Sequence, residues 1–251
     1  MISRFSLPKI IGHRGVKDLA PENSIESISK AFELGLDCVE VDVKISKDNI
    51  PLLIHDDTLD RTTSGSGLVS NFKFNEISNL DAGYFFYNSK TTVKVPSLNQ
   101  VLKEITKKNK SINIELKPNK GLEKLNVDKI VDVIKNFSLE NIFFSSFDLE
   151  SCIYVKEKLP GALCGFLNDD FSKINLKDTI DICKRYDFFS CGTDLESFSD
   201  LVVNDLTNHN ILVTIYSGKN ISIKDAVDLW EKKVISVFVD DPSDYLNYFK
   251  L

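Results

Sequence analysis

A chain of 251 residues, 42% apolar and 27% charged, carries enough apolar mass for a buried core and enough charge for a soluble surface. Its net charge of −6 excludes a protein built mainly to bind nucleic acid, which needs a basic face against the phosphates. A small anionic ligand is still allowed, because a metal ion and a few local cations set the field inside a pocket.

The opening Met1–Leu7 segment lacks the apolar stretch of a secretory signal. No apolar run approaches the ~18 residues that a membrane helix needs, so no stable membrane insertion is expected. The five cysteines (Cys38, Cys152, Cys164, Cys183 and Cys191) form no C-x-x-C pair and no zinc spacing. Most sit in apolar stretches as small core residues, which points to a reduced, cytoplasmic protein.

Strand-like runs alternate with helix-period segments along the chain. The expected strands are Lys9–Gly12, Cys38–Lys44, Ile112–Glu115, Ile142–Ser145, Leu163–Phe166, Phe188–Cys191, Ile211–Ile215 and Ser236–Val239. After Pro21, Asn23 and Glu26 have capping-box spacing for a helix that closes near Gly35. Ser97 and Gln100 open another, with Leu98, Val101, Leu102 and Ile105 on one face. Val127, Ile130, Val131 and Ile134 repeat the stripe, as do Ile223, Ala226, Val227 and Trp230. Eight such units predict a single (β/α)₈ TIM barrel over residues 1–251. An open, doubly wound sheet competes, since periodicity does not show closure.

One stretch interrupts the alternation. Between the second and third barrel strands, residues 45–96 read as an insertion. It begins with an extended run, Ile45–His55, turning at Asp48-Asn49. A Gly/Ser/Thr-rich loop, Arg61–Gly67, and the aromatic patch Tyr84–Tyr87 follow. Loops of this length in compact domains are usually lids or binding inserts.

Within Cys38–Val43, side chains alternate, so Glu40 and Asp42 share one face and three valines share the other. Two carboxylates pointing into a barrel repel each other and resist burial, and a divalent cation relieves both problems. Solvated acids on an edge strand would be the plainer reading, but the valines mark a strand buried on its other face. Glu115 and Lys117 likewise share a face, at the strand end where barrels of this type carry their sites. Three carboxylates without a soft ligand suggest one hard ion, Mg²⁺ or Ca²⁺.

His13 follows the first strand and His55 ends the extended run. A lone strand-end histidine is more often structural than catalytic. In a barrel, however, both project into the mouth that holds the carboxylates, as an acid and a base on two sides of a phosphorus would. Arg14 can grip a phosphate with two hydrogen bonds and Lys117 adds a point charge. His209, before the seventh strand, belongs at the opposite end, on the surface.

These residues resemble the glycerophosphodiester phosphodiesterase family. Gly12-His13-Arg14-Gly15, Pro21-Glu22-Asn23-Ser24, Glu40-Val41-Asp42-Val43, His55-Asp56 and Glu115-Leu116-Lys117 stand in that family's order. Thr58–Thr63 with Gly67 looks like its signature after the second histidine, and Val95–Leu98, Ser146–Asp148 and Asp240–Pro242 extend the likeness. The resemblance implies a (β/α)₈ barrel with an insert before the third strand. It implies Glu40, Asp42 and Glu115 as metal ligands, His13 and His55 as the acid–base pair, and Arg14 and Lys117 as phosphate ligands. Glu22 would orient the arginine or the metal shell; a carboxylate favoured by a helix N-terminus is an equally good account of it.

The implied reaction converts a glycerophosphodiester to sn-glycerol 3-phosphate and an alcohol such as choline or ethanolamine. His13 would deprotonate the neighbouring glycerol hydroxyl, giving a cyclic phosphate, and His55 would protonate the leaving alkoxide. The sequence departs from the family at Val213–Ser217, where an aromatic-Thr-x-Asn motif is usual; Tyr216 either restores the aromatic wall or simply packs. Two rivals stand. One is a barrel phosphodiesterase or phospholipase acting on lipid headgroups, which needs an exposed apolar loop; Tyr84–Tyr87 is expected instead to pack as a lid or as insert core. The other is a non-catalytic phosphoester-binding domain, which has no need of both histidines and three carboxylates.

Overall fold

A computed structural model describes residues 7–249 and divides them into nine strands and ten α-helices. The strands are β1 (Ile10–Gly12), β2 (Cys38–Ile45), β3 (Pro51–Leu53), β4 (Ser111–Leu116), β5 (Ile142–Ser146), β6 (Leu163–Leu167), β7 (Ser190–Asp194), β8 (Leu212–Tyr216) and β9 (Ser236–Val239). The helices are α1 (Ile25–Glu33), α2 (Phe74–Ile77), α3 (Tyr84–Tyr87), α4 (Leu98–Lys108), α5 (Glu123–Ile134), α6 (Leu149–Lys158), α7 (Leu176–Tyr186), α8 (Asp200–Asn208), α9 (Ile223–Glu231) and α10 (Ser243–Phe249).

All strands but β3 run parallel to their neighbours, and β1 pairs with both β9 and β2, which closes the sheet. Closure decides against the open-sheet alternative: the fold is a (β/α)₈ TIM barrel. Along β2 the valines at 39, 41 and 43 pack outward into the same core as Val101, Leu102, Val127 and Ile130 of the helices. The alternate residues face inward. Cys38 joins Ile11, Phe143 and Phe238 in an apolar layer inside the barrel. Asn113, opposite Glu40 in register, donates to Ser145 Oγ at 3.0 Å, so the interior turns polar toward the strand C-termini. All five cysteines are buried and unpaired.

The helix boundaries correct one expectation. Ser24, not Asn23, caps α1, accepting from the Ser27 amide at 3.0 Å. Asn23 adopts φ 55° and turns its side chain toward the barrel. Closure near Gly35 holds: Gly35 has φ 91°, a conformation open to glycine, and the chain turns there back to β2. The Ser97–Gln100 capping box is present as expected. In α9 the buried face centres on Ala226 and Leu229, while Trp230 rotates out to meet Tyr245 and Phe249 of α10.

β7 also lies later than its apolar run suggests. Phe188 donates its amide to Cys183 O and stacks between Tyr186 and Phe166, so it closes α7 and does not begin the ladder. The strand proper carries Gly192, Thr193 and Asp194 to the barrel mouth.

Between β2 and α4, β3 folds back antiparallel on β2 through a turn at residues 46–50, with Asn49 at φ 61°. The rest is short helical turns around a small core of Leu52, Ile54, Leu59, Val69, Ile77 and Val95. The aromatic turn α3 is not part of that core. Its four rings are 41–55% exposed, contrary to the packed lid or insert core expected for them. Asp81 closes the base of this projection, accepting from the Gly83 amide at 2.9 Å and from the amide and hydroxyl of Thr91. Tyr87 donates its hydroxyl to Glu26 on α1. Among the described residues, no helix is long and apolar enough to cross a membrane.

Candidate active site

The site is assembled from the C-terminal ends of β1, β2, β4 and β9 and the start of the insert. At the end of β1 the chain turns sharply: Arg14 has φ 51° and Gly15 φ 85°. A Cβ at Gly12 would stand 2.2 Å from Gly15 O, so only glycine allows this close return. The turn aims the Arg14 amide at Glu40 Oε2, at 2.9 Å. The Arg14 guanidinium reaches Glu22 Oε1 at 2.9 Å and Asp42 Oδ2 at 3.2 Å.

Glu40, Asp42 and Glu115 each offer an oxygen within 4.8 Å of the others. Asp42 is held from both sides by Asn23, whose Nδ2 donates to Oδ2 at 2.8 Å and whose Oδ1 accepts the Asp42 amide at 3.0 Å. Lys117 Nζ lies 2.9 Å from Glu115 Oε1 and 3.6 Å from Asp42 Oδ1. Burial, with repulsion from Asp42 and Glu115, raises the Glu40 carboxyl well above its ordinary range. Burial, again with Asp42, pushes Glu115 up to about 7. Asp42 goes the other way: against burial, Arg14 and Lys117 hold it below the usual carboxylate value. Glu40 Oε1 is buried with no hydrogen-bond partner. An unpaired carboxylate oxygen beside two further acids fits a hard divalent cation, which would take up oxygen ligands and cancel their repulsion.

The two imidazoles flank this cluster, and both line one cavity of about 380 Å³ together with Arg14, Glu40, Glu115 and Lys117. His13 Nδ1 meets Asp240 Oδ1 at 2.7 Å, and His55 Nδ1 meets Asp56 Oδ1 at 2.7 Å. Lys17 holds the other Asp240 oxygen at 2.6 Å. Burial, with Arg14 and Lys117 adding to it, lowers the His55 pKa against the pull of Asp42. On the far wall, Phe147 and Tyr216 meet edge to face at 5.7 Å, and Lys117 Nζ lies 5.6 Å from the Phe147 ring centre. The Tyr216 hydroxyl is buried without a partner, and its proton is held more tightly by burial and the nearby acids.

All eight residues singled out in the sequence therefore converge: His13, Arg14, Glu22, Glu40, His55, Glu115 and Lys117 on the cavity, and Asp42 among the carboxylates beneath it. His209 is exposed in the loop before β8, and its Nδ1 contacts Asp205 O. Four neighbours had escaped notice as site residues. Asp56 and Asp240 tether the histidines, Asn23 clamps Asp42, and Arg61 joins Glu22 to Asp56. Asp56 and Asp240 had a local signal, since one follows His55 directly and the other follows the last strand directly.

A model of the glycerophosphoryl diester phosphodiesterase family matches residues 13–244. The chain belongs to this family. A glycerophosphodiester phosphodiesterase of Caldanaerobacter subterraneus subsp. tengcongensis is 38% identical over 159 residues, 63% of this chain. One from Bacillus altitudinis is 34% identical over 160 residues, 61% of this chain. The matched stretches span 65% and 64% of those relatives' own lengths. Among solved structures, an Oleispira antarctica phosphodiesterase in complex with the product sn-glycerol-3-phosphate superposes with a TM-score of 0.89. It is 28% identical, with 98% of each chain covered. The matched range spans the positions of both histidines and all three carboxylates.

Proposed function

We propose that this chain hydrolyses glycerophosphodiesters to sn-glycerol 3-phosphate and an alcohol, in the cytoplasm. One observation carries the reading: two carboxylate-tethered histidines face one cavity whose base is a cluster of three carboxylates with an unpartnered oxygen. Glu40, Asp42 and Glu115 would hold the divalent ion, Mg²⁺ or Ca²⁺, which supplies charge neutralisation at the phosphate oxygens. Five buried, unpaired thiols accord with a reducing compartment.

Arg14 and Lys117 bind the phosphate oxygens and stabilise the charge that gathers on them. With Nδ1 engaged by a carboxylate, each imidazole presents Nε2 for proton exchange. His13 takes the proton of the glycerol 2-hydroxyl as that oxygen attacks phosphorus. The bond from phosphorus to the alcohol oxygen breaks, and His55 gives that oxygen a proton. Water then opens the cyclic phosphate with the two histidines in exchanged roles, yielding sn-glycerol 3-phosphate. Asp240 and Asp56 hold each ring's tautomer and orientation.

Release of sn-glycerol 3-phosphate from glycerophosphocholine, abolished by EDTA and restored by Mg²⁺ or Ca²⁺, is the expected result. No release from any of a panel of glycerophosphodiesters, with either ion, would overturn the proposal; ligand binding without turnover would favour a non-catalytic phosphoester-binding domain.

One observation favours a second reading, a phosphodiesterase acting on lipid headgroups. The four exposed rings of α3 form the kind of apolar projection that seats in a membrane interface. Co-sedimentation with phosphatidylcholine vesicles and turnover of lysophosphatidylcholine would support it. Failure to sediment would discard it.

A further inference from the structure

We infer that Arg61, carried by the insert, is a positioning residue that locks the proton donor His55 to the phosphate ligand Arg14. The inference rests on the hydrolase reading above.

Arg61 makes two forked contacts. Its Nη1 and Nη2 donate to Glu22 Oε2 and Oε1 at 2.7 and 2.8 Å. Its Nε and Nη2 donate to Asp56 Oδ2 and Oδ1 at 2.7 and 2.9 Å. Each carboxylate has a second task. Glu22 Oε1 also accepts from Arg14 Nη1 at 2.9 Å, and Asp56 Oδ1 meets His55 Nδ1 at 2.7 Å. One planar guanidinium thus sets the plane of both acids, and through them the directions of Arg14 and His55. A lysine has no such fork.

The backbone that presents Arg61 is itself fixed. Leu59 is buried in the insert core and Thr63 is buried beside it. The Thr63 amide and hydroxyl both donate to Leu59 O, at 3.1 and 2.8 Å. Yet the Arg61 side chain is 47% exposed. Exposed ion pairs add little to folding stability, so an anchored loop spending four hydrogen bonds on two site acids points to the site and not to the fold.

A role through His55 has a chemical signature. An alkoxide such as that of choline needs a proton to leave, whereas p-nitrophenolate does not. Both glycerophosphocholine and glycerophospho-p-nitrophenol are to be assayed with R61A, R61K and wild type. For R61A, the single-turnover rate of choline release from glycerophosphocholine is expected to fall about 10- to 100-fold, as for other residues that orient active groups. Single-turnover release of nitrophenolate, which precedes the step that needs His55 as a base, should fall at least about threefold less, the loss common to both esters coming from the loosening of Arg14. Added guanidinium should restore part of the loss, and R61K should show the same leaving-group bias if R61A does not fold. Equal losses of single-turnover rate on both esters, or no loss on either, would overturn the inference. A wild type inactive on both esters with Mg²⁺ and Ca²⁺ would instead bring down the hydrolase reading, and the inference with it.

Discussion

Asp42 stands directly opposite Glu115 in the parallel register of β2 and β4, and the ammonium of Lys117 reaches both. That register puts two acids side by side near the mouth, with Glu40 close enough to share an ion. Three carboxylates with one lysine and one arginine between them are a poor arrangement for an ion-free protein and a good one for a cation.

Changing Glu115 to glutamine keeps the shape and removes one charge from this cluster. Divalent-ion affinity should drop about tenfold or more by titration calorimetry. The ion-free E115Q protein should melt several degrees higher at pH 8 than ion-free wild type, because a buried like charge is gone. An unchanged ion affinity would take Glu115 out of the ligand set.

The same cluster sets a pH dependence. Glu115 goes from an ordinary 4.5 to about 7 on folding, burial being the main cause. The folded form therefore binds this proton more tightly than the unfolded chain. Its contribution to stability is complete below about 4.5 and is lost as pH rises through about 7. A bound cation replaces that proton. Melting in EDTA and in saturating Mg²⁺ should show a wider gap at pH 8 than at pH 5. Equal gaps would contradict the assignment.

H13A and H55A should each lose at least ~100-fold in kcat, whereas H209A, with an exposed side chain away from the cavity, should turn over normally. Acid and base are needed in opposite protonation states, so kcat/KM should be bell-shaped with pH. Because burial, Arg14 and Lys117 lower the His55 pKa, the limb that reports His55 should lie below the ordinary imidazole value of 6.5. Retention of that limb in H55A would assign it to another group.

Tyr216 carries a buried hydroxyl with no partner, on the wall that faces Lys117 across Phe147. Y216F removes a desolvated donor and should stabilise the ligand-free protein by up to about 1 kcal/mol. If a substrate hydroxyl is the missing partner, KM for glycerophosphocholine should rise with little change in kcat. A Y216F protein both less stable and unaltered in KM would make the residue simple packing.

Much of this was legible because alternation and capping are local. Glu40 and Asp42 share a face wherever Cys38–Val43 is a strand, and Ser97 with Gln100 marks a helix start in any fold. The misplacements have local causes too. Asn23 and Ser24 are both good caps, and only the pull of Asp42 on Asn23 decides between them. Phe188 looks like strand, yet it is drawn into the aromatic stack with Tyr186 and Phe166. The rings of α3 look like core and are not, because Asp81 ties the loop off at its base before the rings can turn inward.

By itself the sequence determined which groups exist and which of them share a face, since that follows from two-residue periodicity along one strand. Only the tertiary structure decided who meets whom. His13 and Asp240 lie 227 positions apart and touch because β9 returns to pair with β1. Asp42 meets Glu115 through strand register, and Arg61 reaches Glu22 and Asp56 because the insert folds back over the mouth. Such contacts depend on ring closure and register, which are set by the summed burial of the whole barrel and not by any short stretch of it.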